Sequence, residues 1–179
     1  MIQALTQIIF SPRRAWEHLS ESTTLQQYIL PLMVYPMILL AALSAFIPHW
    51  YGFIPIDVAT KQATLTLLKY CGCLILSWGL LIVLSRIYFM NECSKHELHL
   101  FAGYTLTFTL VSVIINNILP SSFSFVQFMP AYTLWIVYQG RHFLRIPEEN
   151  VFSFTVTAST ILLVLPFAWD FMTTKIIIH

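Results

Sequence analysis

Charge is what this chain has least of. Nine Lys/Arg and eight Asp/Glu make up 9% of 179 residues, whereas a soluble domain carries about a quarter. With 58% hydrophobic residues, so little charge excludes an ordinary globular enzyme and equally a disordered or collagenous chain. The net charge of +1 provides no basic field for nucleic acid. Cysteine is scarce as well: Cys71, Cys73 and Cys93 are odd in number and lack paired spacing, so no disulfide framework is implied. The five glycines form no phosphate-cradling loop, and neither a Gly-x-Ser-Gly motif nor an aspartate cluster is present. No cofactor is called for, and the expectation is a protein that is not an enzyme.

What is present is long apolar stretches, which identify an integral membrane protein. A transmembrane helix needs about 20 mostly apolar residues. Five spans are predicted, at about 25–47, 60–89, 95–119, 123–139 and 151–169, giving an all-α five-helix bundle over residues 25–171. Between Leu98 and Gln139 there is no Asp, Glu, Lys or Arg; a soluble bundle would show a charged stripe there. Capping boxes are predicted at Thr24–Gln27 and Ser94–Glu97, and Pro31 and Pro36 predict a kinked first span. Pro130 falls inside the fourth span, while Pro48, Pro55, Pro120 and Pro147 fall between spans.

Orientation follows from the Lys and Arg count on each side. Arg13, Arg14, Arg86, Lys95, Arg141 and Arg145 lie on the amino-terminal side; Lys61, Lys69 and Lys175 lie opposite. The expectation is an amino terminus in the cytoplasm and a short tail, 172–179, outside. Residues 1–24 do not read as a signal peptide, because the basic pair follows the apolar residues. Ser11-Pro12 reads as an N-cap with proline at the first helical position. The helix it opens carries Ala15, Trp16 and Leu19 on one side and Arg13, Arg14 and Glu17 elsewhere. Such a helix either lies amphipathically in the inner membrane interface or packs beneath the bundle.

Three constellations hint at chemistry. His96-Glu97-Leu98-His99 has its histidines three apart, where a zinc helix needs four; a site would also need Glu92 or Cys93, and Glu97 is better used as the partner of Ser94. Glu148-Glu149 lacks the arginine that a prenyl-type protease carries four residues later, since that position is Ser153. The third is a set of polar seams: Thr105, Thr109, Ser112 and Asn116 on the third span, Thr66, Lys69, Cys73 and Ser77 on the second, and Ser153, Thr157 and Thr160 on the fifth. Such seams mean either close helix packing or a polar pathway with Lys69 as its buried charge.

Two stretches resemble a known family. Ser11-Pro12-Arg13-Arg14-Ala15-Trp16-Glu17-His18-Leu19 is followed by Tyr28-Ile29-Leu30-Pro31-Leu32; Pro130 through Gly140 is followed by Arg141 through Pro147. With Gly103-Tyr104, these resemble bacterial members of the Yip domain family of Rab-interacting membrane proteins. The resemblance implies five spans, a cytoplasmic amino terminus and an adaptor or organiser role in membrane traffic or shaping. The long cytoplasmic amino-terminal region of the eukaryotic members is missing here, so the setting implied is a bacterial inner membrane. Arg13, Arg14, Trp16, Arg86, Arg141 and Arg145 then become candidates for contact with membrane lipids, with a second copy or with an unidentified partner protein. Lys69, Thr105, Thr109, Ser112 and Asn116 become candidates for a transport seam under the alternative reading.

Overall fold

In the computed structural model, residues 2–88, 93–119 and 129–178 are described, and among them all regular structure is helical. Short helices α1 (Ile2–Phe10) and α2 (Pro12–Glu21) precede α3 (Thr23–Ile29), a π-turn (Leu30–Val34), α4 (Tyr35–Ser44) and α5 (Ile47–Trp50). Then come α6 (Ile56–Tyr88), α7 (Lys95–Ile118), α8 (Met129–Gln139) and α9 (Val151–Ile178), the last entered by a 3₁₀ turn at Glu148–Asn150. Four stretches are long and apolar enough to cross a membrane: Thr23–Trp50, Ile56–Ile87, Lys95–Ile118 and Glu148–Trp169. The predicted fourth span is described only over α8, whose 11 residues are too few for a bilayer; residues 120–128 lie outside the described residues. Helix α9 continues to Ile178 through Pro166, past the point where the sequence suggests a tail.

The first stretch shows how its prolines are accommodated. Pro31 has no N–H to give the carbonyl one turn back, and its ring crowds that carbonyl. The backbone widens instead, with the Tyr35 N–H donating to the Leu30 carbonyl five residues earlier, and the chain continues as one helical rod. Its start is also earlier than the Thr24–Gln27 box predicts. Ser22, in extended conformation, accepts from the Leu25 N–H at 3.2 Å, so Thr23 and Thr24 are already helical. The Ser94–Glu97 box forms as predicted, with reciprocal bonds of 2.8 and 3.1 Å.

The bundle is held by α6, which packs against α4, α7 and α9, and by α8, which packs against α7 and α9. Gly103 lets α7 approach the π-turn: a Cβ there would lie 2.7 Å from Leu30 Cδ2 and 3.2 Å from Val34 Cγ2. Small residues at such crossings allow the backbone contact that replaces a hydrophobic driving force in lipid. At the far end of the same pair, Asn117 Nδ2 donates to Ser44 Oγ at 2.8 Å, and Ser44 donates onward to the Ala41 carbonyl at 2.7 Å.

Candidate functional site

The candidate site is the end of the bundle where α2, the start of α7 and the turn after α8 meet. Trp16 organises it. Pro12, Ala15, Trp16 and Leu19 form the buried face of α2, and Trp16 is 2% exposed. Its ring stacks on Phe101 (centroids 5.2 Å), meets Tyr104 edge-on (4.9 Å) and lies against Phe143 (5.4 Å). Its indole N–H donates to the Ile136 carbonyl of α8 at 3.0 Å, which satisfies the one polar atom the ring buries. The tryptophan named from sequence as a lipid or partner contact is therefore enclosed by protein. The apolar face of α2 rests on the bundle, and Arg13, Arg14, Glu17 and His18 face outward. Nearby, the Tyr132 hydroxyl donates to the Ile9 carbonyl, tying α8 to α1.

Gly140 closes the underside of this cluster. A Cβ at Gly140 would stand 2.5 Å from Phe101 Cε2 and 3.1 Å from Trp16 Cε2, so the chain leaves α8 directly against two ring faces. The turn that follows reverses into α9. Leu144 N–H returns to the Gly140 carbonyl (3.2 Å), Arg145 N–H to His142 (3.3 Å) and Ile146 N–H to Arg141 (3.1 Å). Arg145 has φ +53°, the left-handed conformation that usually falls to glycine in this helix-ending motif. Phe143, Leu144 and Ile146 point inward, leaving His142 and Arg145 exposed.

Arg141 is held in place. Its Nη1 donates to the Tyr138 hydroxyl at 2.8 Å, its Nε to His142 Nε2 at 3.3 Å, and the guanidinium lies 4.4 Å from the centre of the Tyr138 ring. Among the described residues the one ion pair is Arg13–Glu17, at 2.9 Å. Arg14, Arg86 and Arg145 are exposed, Arg86 in the last turn of α6. Arg13 and Arg14 lie on α2, which packs on α8, and Arg141 and Arg145 lie in the turn after α8, while Arg86 closes α6; Glu148 and Glu149 are exposed just beyond the turn.

Cys93 sits at this end as well. Its thiol faces Glu97 Oε2 at 3.6 Å and the Leu144 carbonyl at 3.8 Å. Burial, and then the Glu97 charge and hydrogen bond, push it from 9.0 up to about 12. The thiolate is the reactive form, so near neutral pH Cys93 holds far less of it than an ordinary thiol. Alkylation of Cys93, followed by peptide mass spectrometry, is expected to keep accelerating above pH 10. Glu97→Gln, which keeps a capping side chain, is expected to speed it at fixed pH. His96 is exposed, and His99 stacks on Trp78 at 4.9 Å. Among the described residues no group of three His, Cys, Asp or Glu could hold a metal ion; Glu92 lies outside them.

The polar seams are distributed differently. Thr105 is 1% exposed and its hydroxyl has no hydrogen-bond partner among the described residues; Thr109 is half-buried. Ser112 donates to its own helix at the Phe108 carbonyl, 3.0 Å away. Asn116 is exposed and, with Asn117, Pro48, Tyr51 and Phe53, lines a half-open cavity of about 780 Å³ at the opposite end. Lys69 lies half-buried, its Nζ 5.3 Å from the centre of the Tyr70 ring. On α9, Ser153 and Thr160 face outward, while Thr155 and Ser159 are buried and their hydroxyls have no partner among the described residues. Gly140 reads from sequence as a helix end, and α8 does stop at Gln139; what the sequence does not show is that the glycine lies against the Phe101 and Trp16 rings.

No family model, curated protein or solved structure matches the chain.

Proposed function

We propose that this is a five-span, non-enzymatic protein of the cytoplasmic membrane, with its amino terminus in the cytoplasm and its carboxyl terminus outside. In this reading it is an adaptor or organiser similar to Yip-family proteins, and it works through membrane lipids, a second copy or another protein. The observation that supports the reading is the arginine-bearing end itself. Arg14, Arg86 and Arg145 are exposed there, Arg141 is fixed on Tyr138, and the platform beneath them is rigidified by Trp16. Exposed cations that have no carboxylate within ion-pair distance among the described residues, one of them fixed on a tyrosine, suit contact with anionic surfaces.

The test is photo-crosslinking in living cells from a probe at exposed His142. A discrete adduct with another protein or with a second copy is the expected result. A probe that labels no protein under any growth condition tells against an adaptor. The transporter reading draws on the buried hydroxyls of Thr105, Thr155 and Ser159, which have no partner among the described residues. It requires a solute flux in proteoliposomes that Lys69→Met or Asn116→Leu abolishes.

A further inference from the structure

The turn from Gly140 to Ile146 carries a cost that its backbone does not need. A residue with a Cβ is disfavoured at φ +53°, where glycine is free. The three bonds that close the turn run through main-chain N–H groups, and among the described residues the Arg145 side chain makes none of them. Glycine would close the same turn with less strain, and conformational strain retained at one residue points to a use for its side chain. Four residues earlier, Arg141 is locked on the Tyr138 ring and hydroxyl. The lock occupies Nε and one Nη1 bond, which leaves further donors of the guanidinium for a ligand. Neither arginine has a carboxylate oxygen within 4.0 Å among the described residues, although Glu148 and Glu149 follow closely in sequence.

The surroundings indicate which anion belongs there. Trp135, half exposed, stacks on Tyr138 (centroids 5.9 Å), and Tyr138 in turn carries Arg141. Trp and Tyr on the outside of a membrane bundle sit at the level of the lipid head groups. With Tyr138 at that level, the guanidinium fixed on it would stand at the depth of the lipid phosphates, and planar guanidinium groups suit phosphate oxygens. We propose that Arg141 and Arg145 form a site for the phosphate of an anionic phospholipid, with Trp135 and Tyr138 against its glycerol and upper acyl region. The inference deepens the proposed role of this end and rests on it.

The test is lipid binding to the whole chain in neutral detergent, read by native mass spectrometry with phosphatidylglycerol, phosphatidylcholine and inorganic phosphate as separate probes. Phosphatidylglycerol is expected to bind, phosphatidylcholine to bind more weakly, and inorganic phosphate not to displace the lipid. Arg141→Gln and Arg145→Gly are each expected to weaken phosphatidylglycerol binding about fivefold, the scale of one arginine at an anionic surface. Arg145→Gly should at the same time raise the thermal midpoint by roughly 2–4 °C as the left-handed residue is relieved. Lys61→Gln, at the other end of the bundle, removes the same charge and is expected to leave binding unchanged. Binding unaltered in Arg145→Gly, or lost equally in Lys61→Gln, overturns the lipid site. Full displacement by inorganic phosphate overturns its assignment to lipid. None of these outcomes touches the crosslinking test at His142, so the site and the adaptor role fail separately.

Discussion

Trp16→Ala is expected to destabilise the protein by about 3–5 kcal/mol, the cost of deleting a large buried aromatic side chain. Trp16 is 2% exposed and in ring contact with Phe101, Tyr104 and Phe143, so truncation opens a cavity that those rigid rings cannot collapse into. The hydrogen bond contributes less. The Ile136 carbonyl that receives the indole N–H also receives the Gly140 N–H at 3.1 Å, and it stays satisfied when the indole is removed. Trp16→Phe should therefore cost much less, about 1 kcal/mol for the lost bond plus a smaller packing defect. Thermal unfolding in detergent measures the difference, and protease cleavage within α2 reports its release. Equal stability of Trp16→Ala and wild type would mean that α2 is not docked on the bundle.

Gly140→Ala is the second large effect, and its sign is informative. On backbone grounds alone, Gly→Ala stabilises by about 0.4–1 kcal/mol where the conformation permits, and Gly140 does not have a positive φ. The new methyl, however, would stand 2.5 Å from Phe101 Cε2, a ring atom of a residue that is 0% exposed. Overpacking of that kind costs about 1–3 kcal/mol and outweighs the backbone gain. Gly79, in the middle of α6, has nothing within 4 Å of its would-be Cβ. There the propensity term acts alone, and Gly79→Ala should be neutral or stabilising by up to about 1 kcal/mol. Opposite shifts in thermal midpoint for the two variants identify close approach, and not helix propensity, as the reason for Gly140.

These two residues also mark where sequence reasoning stopped. Local chemistry was legible: the Ser94–Glu97 box, proline at the first position of α2 and the limits of α7 follow from spacing and hydropathy, whereas α6 begins at Ile56, a turn before the predicted start at residue 60. The docking of Trp16 was not, because its hydrogen-bond partner is 120 residues away. An amphipathic helix looks the same from sequence whether its apolar face meets lipid or protein. The seam on the last span misled for another reason. Thr157 and Thr160 bond the carbonyls four residues back at 2.7 Å, so their hydroxyls are satisfied within the helix and need no polar neighbour. The hydroxyls turned into the bundle belong to Thr155 and Ser159, one step around the helix. The π-turn at Leu30–Val34 was foreseen only as a kink, since proline spacing shows that the ladder breaks but not how it is mended.

The arginine-bearing end is a preassembled surface because α2 is fixed to it through Trp16. The most direct measurement is the distance distribution between spin labels at exposed His18 on α2 and exposed His142 in the turn, in lipid nanodiscs. A single narrow distribution that broadens in Trp16→Ala is expected. A broad or multiple distribution in the otherwise unaltered protein would place α2 loose in the membrane interface and contradict its docking.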